Sequence, residues 1–253
     1  MNKTSEYDFT IVVPIYNEID NMGAIEQRLG DFLKHSSRKA CVLLVNDGSS
    51  DGSLEAIRDL CRRNPDFYYI SLAKNSGLSA AIKAGIDSTF SPLVGYIDAD
   101  LQTDPEDFNL LLPYADEYAL SMGIRAKRKD TLAKKLQSKI ANKFRRSMTG
   151  DDAIDTGCPL KIIQTPYAKR IPFFTGMHRF LPALISLQNG TVRQVPVRHY
   201  PRTAGVSKFS LRNRFWGPLG DCFAFRWMRS RYINYSLGES SFDNQQPKYI
   251  AEK

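Results

Sequence analysis

Asp98 and Asp100 are the residues whose type and spacing most directly suggest chemistry, because this pair of carboxylates follows an apolar run at residues 93–97. In an extended segment both side chains point the same way, and they repel each other unless a cation lies between them. Such oxygen ligands suit Mg²⁺ or Mn²⁺, which commonly bridges to a substrate phosphate. An isolated acidic pair is more often a solvated turn, so the surrounding elements decide its meaning.

Other motifs that contain an acidic pair fit this sequence less well. An EF-hand loop needs glycine and glutamate where Thr103 and Asn109 stand. Neither the P-loop pattern nor the G-x-G-x-x-G pattern of nucleotide-binding proteins occurs. Phosphatases that form an aspartyl-phosphate begin with a similar pair, usually at the first strand and without a residue like Gln102 after it. That class stays an alternative.

Four apolar runs alternate with helical patterns in the first hundred residues and would position the acidic pair. The runs cover residues 9–15, 41–45, 67–72 and 93–97. This alternation predicts an α/β fold with a mainly parallel sheet and helices on its faces. We expect Pro14 to end the first strand. Ligands of such sheets bind beyond the carboxyl ends of the strands, where the polar motifs of this chain stand.

Length and composition exclude several classes of protein. The chain has 253 residues, of which 42% are hydrophobic and 25% charged, as expected for one ordered domain with an appendage. No run reaches the about 18 apolar residues of a membrane helix, and no secretory signal is recognisable. Four cysteines without a C-x-x-C pattern indicate reduced thiols and a cytoplasmic protein rather than a zinc site or a disulfide framework.

The net charge of +8 favours an anionic partner, and the basic residues are clustered. Residues 131–148 carry leucine, isoleucine and phenylalanine at intervals of four among lysines and arginines, which predicts a basic amphipathic helix. Residues 209–235 mix aromatic residues with five arginines. This combination is typical of segments that lie on an anionic membrane surface. We expect residues 209–253 to form a membrane-association segment and a loose tail.

An ordered set of motifs resembles one enzyme family. It comprises residues 12–18 (VVPIYNE), 46–53 (NDGSSDGS), 75–83 (NSGLSAAIK), 98–106 (DADLQTDPE), 123–125 (GIR), 155–161 (DTGCPLK) and 202–209 (RTAGVSKF). Together they resemble the inverting glycosyltransferase family 2 over about residues 8–210. Within that family the chain is similar to polyprenyl-phosphate sugar synthases, such as the dolichyl-phosphate mannose synthase group and its undecaprenyl-phosphate relatives. Many of these carry two C-terminal transmembrane helices, and this chain resembles the short peripheral form.

The resemblance implies a GT-A (Rossmann-like) fold and a set of donor-site residues. The residues that would bind the nucleotide-sugar are Pro14, Tyr16, Glu18, Asp47, Lys83, Asp98, Ala99, Asp100 and Gln102. Asp98, Asp100 and Gln102 would hold the divalent cation, Mg²⁺ or Mn²⁺. For Lys83, the solvated face of a helix is an equal alternative. Asn46 stands where many relatives have aspartate, which could alter the preference for the nucleotide base.

The resemblance also implies an acceptor site. The residues that would bind phosphate or acceptor are Arg125, Lys135, Ser138, Arg202, Ser207 and Lys208, with Lys135 replacing the arginine of the family. Catalytic roles fall to Asp155, Arg125 and Asp100. Asp155 corresponds to the candidate general base of the family. Because a lipid phosphate is already largely ionised at neutral pH, Asp155 could instead orient Arg125 or Lys161.

The expected function is transfer of a sugar from a GDP- or UDP-linked donor to undecaprenyl or dolichyl phosphate at the cytoplasmic membrane face. Residues 1–208 would form the catalytic domain, with a nucleotide-sugar half at 1–120 and an acceptor half at 121–208. The alternative within the family is a non-lipid glycan acceptor. A nucleic-acid-binding protein and a non-catalytic lipid-surface module are the alternatives outside it. We expect no nucleic-acid partner, and an oligomer is compatible with the sequence.

Overall fold

The computed structural model describes residues 6–126, 132–200 and 211–235, with backbone alone at 132–140, 211–216 and 218. In these residues seven strands form one sheet in the order β3-β2-β1-β4-β6-β5-β7. The strands are β1 (Phe9–Ile15), β2 (Ala40–Asn46), β3 (Phe67–Ser71), β4 (Leu93–Tyr96), β5 (Leu120–Arg125), β6 (Lys161–Gln164) and β7 (Val192–Val197). Only β6 runs antiparallel to its neighbours among these strands. The predicted mixed, mainly parallel sheet is confirmed.

Helices cover both faces of the sheet, as predicted. They are α1 (Met22–His35), α2 (Ser53–Arg63), α3 (Leu78–Asp87), α4 (Phe108–Leu111), α5 (Leu132–Thr149), α6 (Thr165–Lys169), α7 (Leu181–Leu187) and α8 (Leu211–Arg231). Alternate residues of β1 point to opposite faces. Phe9 therefore packs with α1, α2 and α4 in one core, while Val12 packs with α3, α6 and α7 in the other. Phe9 and Phe108 meet edge to face at 5.3 Å between ring centroids.

Pro14 does not end β1, which continues to Ile15. The carbonyl of Val12 accepts a hydrogen bond from the N–H of Ile97, so Val12 bonds towards β4. The backbone of Pro14, two residues later, also faces the β4 side, but the pairing of β1 with β4 ends at Val12 and Tyr96. Its missing donor therefore costs no ladder bond, while pairing with β2 continues through Ile15.

The strand order separates the two halves of the chain. Strands β3, β2, β1 and β4 are contiguous in the sheet, and β6, β5 and β7 follow them. This arrangement is compatible with the expected nucleotide-sugar and acceptor halves, although the boundaries at residues 120 and 208 stay predictions. A long connection that contains α5 joins β5 to β6.

The two basic segments form α5 and α8, which pack against each other. Phe144 and Phe223 contact each other at 6.3 Å between centroids, and Arg229 donates to the carbonyl of Thr149. Phe225 is fully buried and stacks on Phe180 of the main body. Among the helices of the described residues, we find none with the length and apolarity that crossing a bilayer requires.

Candidate active site

The loops that follow β1 and β2 are joined by hydrogen bonds at the carboxyl edge of the sheet. The N–H of Asn17 donates to Ser49 Oγ at 3.0 Å, and the N–H of Ser50 donates to Asn17 Oδ1 at 2.8 Å. Asn17 has a φ of 52°, which asparagine tolerates better than most residues. Glu18 is tied to the same loop, because its N–H donates to Ser53 Oγ at 3.0 Å. The two predicted donor motifs thus form one surface.

Asp47 anchors a third loop to this surface. Its side chain is buried and accepts hydrogen bonds from the N–H groups of Ser76 at 2.7 Å and Gly77 at 2.9 Å. Asn75 Nδ2 also donates to it, at 3.2 Å. The carboxylate therefore fixes the entrance to α3. The expected contact of Asp47 with a nucleotide base stays a prediction.

Gly48 is required by the close approach of that third loop. Its φ is +66°, and a Cβ placed there would lie 2.4 Å from the backbone nitrogen of Asn75. The backbone carbon of Lys74 would be 2.5 Å away. Because backbone atoms cannot turn aside as a flexible side chain can, no residue with a side chain fits without displacing the loop.

The other predicted donor residues of this edge lie near these loops. Pro14 is buried inside β1, and Tyr16, directly after the strand, is exposed. Glu18 is half-buried, and its Oε2 accepts a hydrogen bond from Asn21 Nδ2 at 2.6 Å. Their assignment to the nucleotide stays a prediction.

Asp98 lies two residues after the end of β4, and opposing electrostatic effects act on its carboxyl group. Burial raises the pKa of its carboxyl group, and the negative charge of Asp100 acts in the same direction. The hydroxyl of Tyr96 donates to Asp98 Oδ1, and the positive charges of Lys161 and Arg125 also favour the carboxylate. A cation bound between the two carboxylates would relieve their repulsion. Ala99 is buried between them in the sequence.

The donor set fits a divalent ion that is shared with a substrate. In the described residues, no group of three or more histidine, cysteine, aspartate or glutamate side chains is placed to hold a metal. The ligands available for a cation are the two carboxylates of Asp98 and Asp100 and the amide of the half-buried Gln102. Mg²⁺ and similar hard cations often bind through one or two carboxylates and complete their shell with water and substrate phosphates. The residues present suit that mode and not a cage made of protein alone.

Arg28, which the sequence analysis did not single out, braces the acidic segment from α1. Leu101 has a φ of 46°, an uncommon value for a residue with a branched side chain. Arg28 Nη1 donates to its carbonyl at 2.9 Å, and Arg28 Nη2 lies 3.5 Å from Asp104. Asp104 in turn accepts from the N–H of Glu106 at 3.1 Å. These contacts stabilise the turn that carries the acidic pair.

Arg198, the first residue after β7, also holds the acidic segment in place. Its N–H and Nε donate to the buried carboxylate of Asp107 at 2.6 and 2.8 Å, and its Nη2 lies 3.4 Å from Asp104. The N–H of Tyr200 donates to the carbonyl of Gln102 at 2.8 Å. The pairing joins residues 91 positions apart, and no periodic pattern in one sequence could reveal it. Arg202, Ser207 and Lys208, predicted to bind phosphate, lie outside the described residues.

Arg125 and Asp155 form a bidentate ion pair. Arg125 Nε donates to Asp155 Oδ2 at 2.8 Å and Nη2 donates to Oδ1 at 2.7 Å, while the backbone N–H of Arg125 adds a third bond at 3.1 Å. Burial opposes the charge on Arg125, but its hydrogen bonds to Asp155 and the negative charge of that residue together raise the pKa of the guanidinium. This geometry favours the interpretation that Asp155 orients Arg125. The general-base role of Asp155 and the phosphate contact of Arg125 stay predictions.

Lys161 is a fully buried lysine whose positive charge acts on Asp98. Its side chain is 1% exposed, and its ammonium donates to the carbonyls of Thr156 and Cys158. It also lies 5.9 Å from the ring centroid of Tyr96, the residue opposite it in the sheet. Burial lowers the pKa of Lys161. Its burial was not foreseen, because nothing in the sequence marks which lysine of a basic chain lies inside.

Three further predicted residues lie elsewhere or are described only in part. Lys83 Nζ donates to both carboxylate oxygens of Asp87, at 2.9 and 2.6 Å, and lies 4.4 Å from the ring centroid of Phe173. This placement fits the helix-face alternative, and a donor contact of Lys83 stays a prediction. Lys135 and Ser138 belong to α5, but their side chains lie outside the described residues.

Comparison with known proteins gives a consistent result. The model of glycosyl transferase family 2 matches residues 10–174. Dodecaprenyl-phosphate galacturonate synthase of Rhizobium johnstonii is 32% identical over 214 residues, which are 82% of this chain and 63% of that protein. Undecaprenyl-phosphate 4-deoxy-4-formamido-L-arabinose transferase of Yersinia pestis is 32% identical over 205 residues, 80% of this chain and 62% of that protein. The chain thus spans less than two thirds of these relatives.

Among solved structures, mannosyl-3-phosphoglycerate synthase from Rubrobacter xylanophilus superimposes with a TM-score of 0.66. It is 17% identical, and the match covers 90% of this chain and 77% of that one. A mannosyltransferase from Pyrobaculum calidifontis, solved with GDP-Man and Mn²⁺, has a TM-score of 0.58 at 15% identity, with 91% of this chain and 66% of that chain covered. At these identities the likeness concerns the fold alone.

Proposed function

Since this chain belongs to glycosyl transferase family 2, we propose that it transfers a sugar from a nucleotide-sugar to a polyprenyl phosphate, with inversion at the anomeric carbon. The observation that supports a polyprenyl-phosphate acceptor is the 32% identity with a relative named as a dodecaprenyl-phosphate galacturonate synthase. The alternative of a nucleic-acid-binding protein receives no comparable support. The donor base, GDP or UDP, and the sugar itself are open within this proposal.

The reaction requires an anionic nucleophile and an anionic leaving group. A phosphate oxygen of the acceptor attacks C1 of the sugar, and the bond from C1 to the donor diphosphate breaks. The nucleoside diphosphate leaves with the electron pair of that bond. By analogy with other phosphate monoesters of pKa near 6, the acceptor is already largely ionised at about pH 7, so no base is needed to generate it. An Asp155 that is held by Arg125 is compatible with this chemistry.

Asp98, Asp100 and Gln102 would hold a divalent cation against the donor diphosphate. When bound, the cation offsets the charge that develops on the leaving group. The positive charge of Arg125 favours the ionised form of Asp98. We propose that Arg125, fixed in orientation by Asp155, adds positive charge at the reacting phosphates.

We further propose that α8 lies on the cytoplasmic surface of a membrane, where a lipid acceptor resides. Phe223 and Trp227 are 60% and 67% exposed and stand one turn apart. Arg226 and Arg231 are exposed on the same helix. Aromatic side chains at the lipid boundary together with arginines near anionic headgroups are the usual means of interfacial binding.

Release of nucleoside diphosphate tests the proposal. The purified chain is incubated with GDP- and UDP-sugars and Mn²⁺ or Mg²⁺, with and without undecaprenyl phosphate. We expect release with one donor only when the lipid is present. Release that is independent of lipid but needs a glycan would favour the non-lipid acceptor. Absence of release from every donor by folded protein would count against a transferase activity of this chain.

A further inference from the structure

A cleft of about 1010 Å³ lies between α3, the segment 173–179 and α8. Its lining includes Ser76 and Gly77, whose N–H groups bind the carboxylate of Asp47 at the candidate active site. It also includes Asp221 of α8, the helix that we propose lies on the membrane. The cleft therefore contacts both the donor-site loops and the proposed membrane side. Its volume is at the upper end of the range of about 300–1000 Å³ that is usual for ligand sites.

The charged side chains described in this cleft are paired with each other. Lys83 binds the carboxylate of Asp87, and Arg179 Nη2 lies 3.3 Å from Asp221 Oδ2. His178 is neutral, because burial lowers its pKa to about 3. Its Nδ1 bonds to Ser79 Oγ at 3.1 Å. Two matched ion pairs and a neutral imidazole leave this lining without net charge.

The remaining lining is apolar or small. Phe173 and Phe174 are half-buried, and Phe174 is held by a ring contact with Phe180 at 6.0 Å between centroids. Ala80 and Ala84 stand one turn apart on α3 and add little bulk to the wall that they form. Aromatic and aliphatic surface without net charge suits an uncharged hydrocarbon.

We propose that this cleft holds the isoprene units of the acceptor that lie nearest its phosphate. This inference rests on the proposed function and adds the path of the lipid chain. The lining suits an uncharged chain because its charges balance and because Phe173, Phe174, Ala80 and Ala84 supply apolar surface. Because the cleft contacts both the Asp47-bound loop and α8, a chain in it would lie between the donor-site loops and the proposed membrane surface.

The first experiment narrows the cleft. Ala80→Phe adds an aromatic ring to the wall, and Ala84→Leu serves if Ala80→Phe does not fold. We expect KM for undecaprenyl phosphate to rise about tenfold, because several buried methylene groups lose their contacts. KM for a short, water-soluble prenyl phosphate should rise less, and the affinity for the nucleotide-sugar with Mn²⁺ should not change. Leu110→Phe, at an exposed position of α4 on the other face of the sheet, is the matched control.

Two results would overturn the proposal. Loss of nucleotide-sugar affinity in Ala80→Phe with an unchanged lipid KM would make the cleft a sugar site. Unchanged values for both substrates would show that the cleft is not part of the substrate path. Either result, obtained with a wild-type protein that uses the lipid, would leave the proposed function intact.

A second experiment does not depend on turnover. A prenyl phosphate with a photoactivatable group in its first isoprene units is cross-linked to the wild-type protein, and the labelled peptides are identified by mass spectrometry. We expect label in the segment 173–179 and in α3, and reduced label after Ala80→Phe. Label confined to other parts of the chain would refute the cleft assignment. A protein that is labelled there but transfers no sugar would instead refute the proposed reaction.

Discussion

At the scale of single residues, the charged groups of the candidate site lie close enough to shift the pKa values of one another. The carboxyl group of Asp98 has a raised pKa because it is buried, while Tyr96, Lys161 and Arg125 oppose that effect. Asp155 is committed to Arg125 by two side-chain hydrogen bonds. The site is therefore rich in groups that hold one another in place. Asp100, as the second carboxylate of the pair, is the residue whose loss should test the metal assignment most directly.

Asp100→Asn should keep the fold and lose metal-dependent turnover. The substitution preserves shape but removes a negatively charged ligand, so we expect kcat to fall by about hundredfold, or about 3 kcal/mol of transition-state stabilisation. The measurements are nucleoside diphosphate release across a Mn²⁺ titration and the thermal unfolding temperature. A rate equal to that of the wild type at every Mn²⁺ concentration would contradict the role of Asp100.

His178 should make the protein less stable in mild acid. Burial lowers its pKa from 6.5 to about 3, so between these values the unfolded chain binds a proton that the folded chain does not. Stability is then lost as pH falls through this window, by up to about 1.4 kcal/mol per pH unit. Urea unfolding of wild type and His178→Gln should give curves that converge as pH decreases. Parallel curves would show that His178 titrates normally.

At the scale of elements, the loops are fixed by contacts that join distant parts of the chain. Gly48 admits the backbone of residues 74–75, and Asp47 holds the next residues of the same loop. Arg198 and Tyr200 hold the acidic segment from the exit of β7. Apart from Asp47, which is itself a predicted site residue, these residues support the site without having been predicted to belong to it. Substitution of these supporting residues should therefore change stability or ligand affinity through the position of the loops.

Gly48→Ala should destabilise the protein much more than Gly52→Ala. Both glycines have positive φ values, +66° and +91°, but a Cβ at Gly52 meets nothing within 4 Å. We expect a loss of about 1 kcal/mol for Gly52→Ala and about 3 kcal/mol for Gly48→Ala, where overpacking adds to the conformational cost. Equilibrium urea unfolding measures both. Equal losses would mean that the loop can move away at little cost.

Asp107→Asn should weaken binding of a nucleoside diphosphate with Mn²⁺. Asp107 is buried and accepts the bonds of Arg198, and the following Tyr200 holds Gln102 in the acidic segment. Loss of this support should cost about tenfold in affinity, as for other residues that orient metal ligands. Isothermal titration calorimetry provides the value. Asp116→Asn, in an exposed pair with Arg38, is the control and should bind normally.

The sequence predicts the strands and helices of this fold better than their contacts. Residues 9–15 and 41–45 were recognisable as strands because continuous apolar runs are typical of a parallel sheet. The reversed direction of β6 leaves no such local mark. The burial of Lys161 and the pairing of Arg198 with Asp107 also depend on tertiary packing alone. The acidic pair was found because it follows a strand, whereas its braces come from distant segments.

At the scale of the whole molecule, α8 joins the fold to the surface that we propose for the membrane. Phe225 is buried against Phe180, so one side of this helix belongs to the core. Phe223 and Trp227 are exposed on it. Deletion of residues 209–253 would therefore remove a part of the core together with the exposed residues. Point substitutions on the exposed side leave the core in place, and of these two residues Phe223 also contacts Phe144 of α5.

Phe223→Ser combined with Trp227→Ser should reduce binding to anionic liposomes by at least about tenfold, because two aromatic side chains no longer enter the lipid boundary. Co-sedimentation with vesicles of increasing phosphatidylserine content measures the effect. Phe90→Ser, at an exposed position after α3, is the control and should bind like the wild type. Full binding by the double variant would move the membrane surface elsewhere.

The reversed direction of β6 has a consequence for how this enzyme family could diversify. Because β5 ends and β6 begins at the same edge of the sheet, residues 126–160 leave and return at one place. The ion pair of Arg125 with Asp155 closes that excursion near its base. The sequence and length of such a segment can change between relatives without altering the order or direction of the strands. A change in this segment would thus alter what this side of the molecule recognises and leave the predicted donor loops after β1, β2 and β4 as they are.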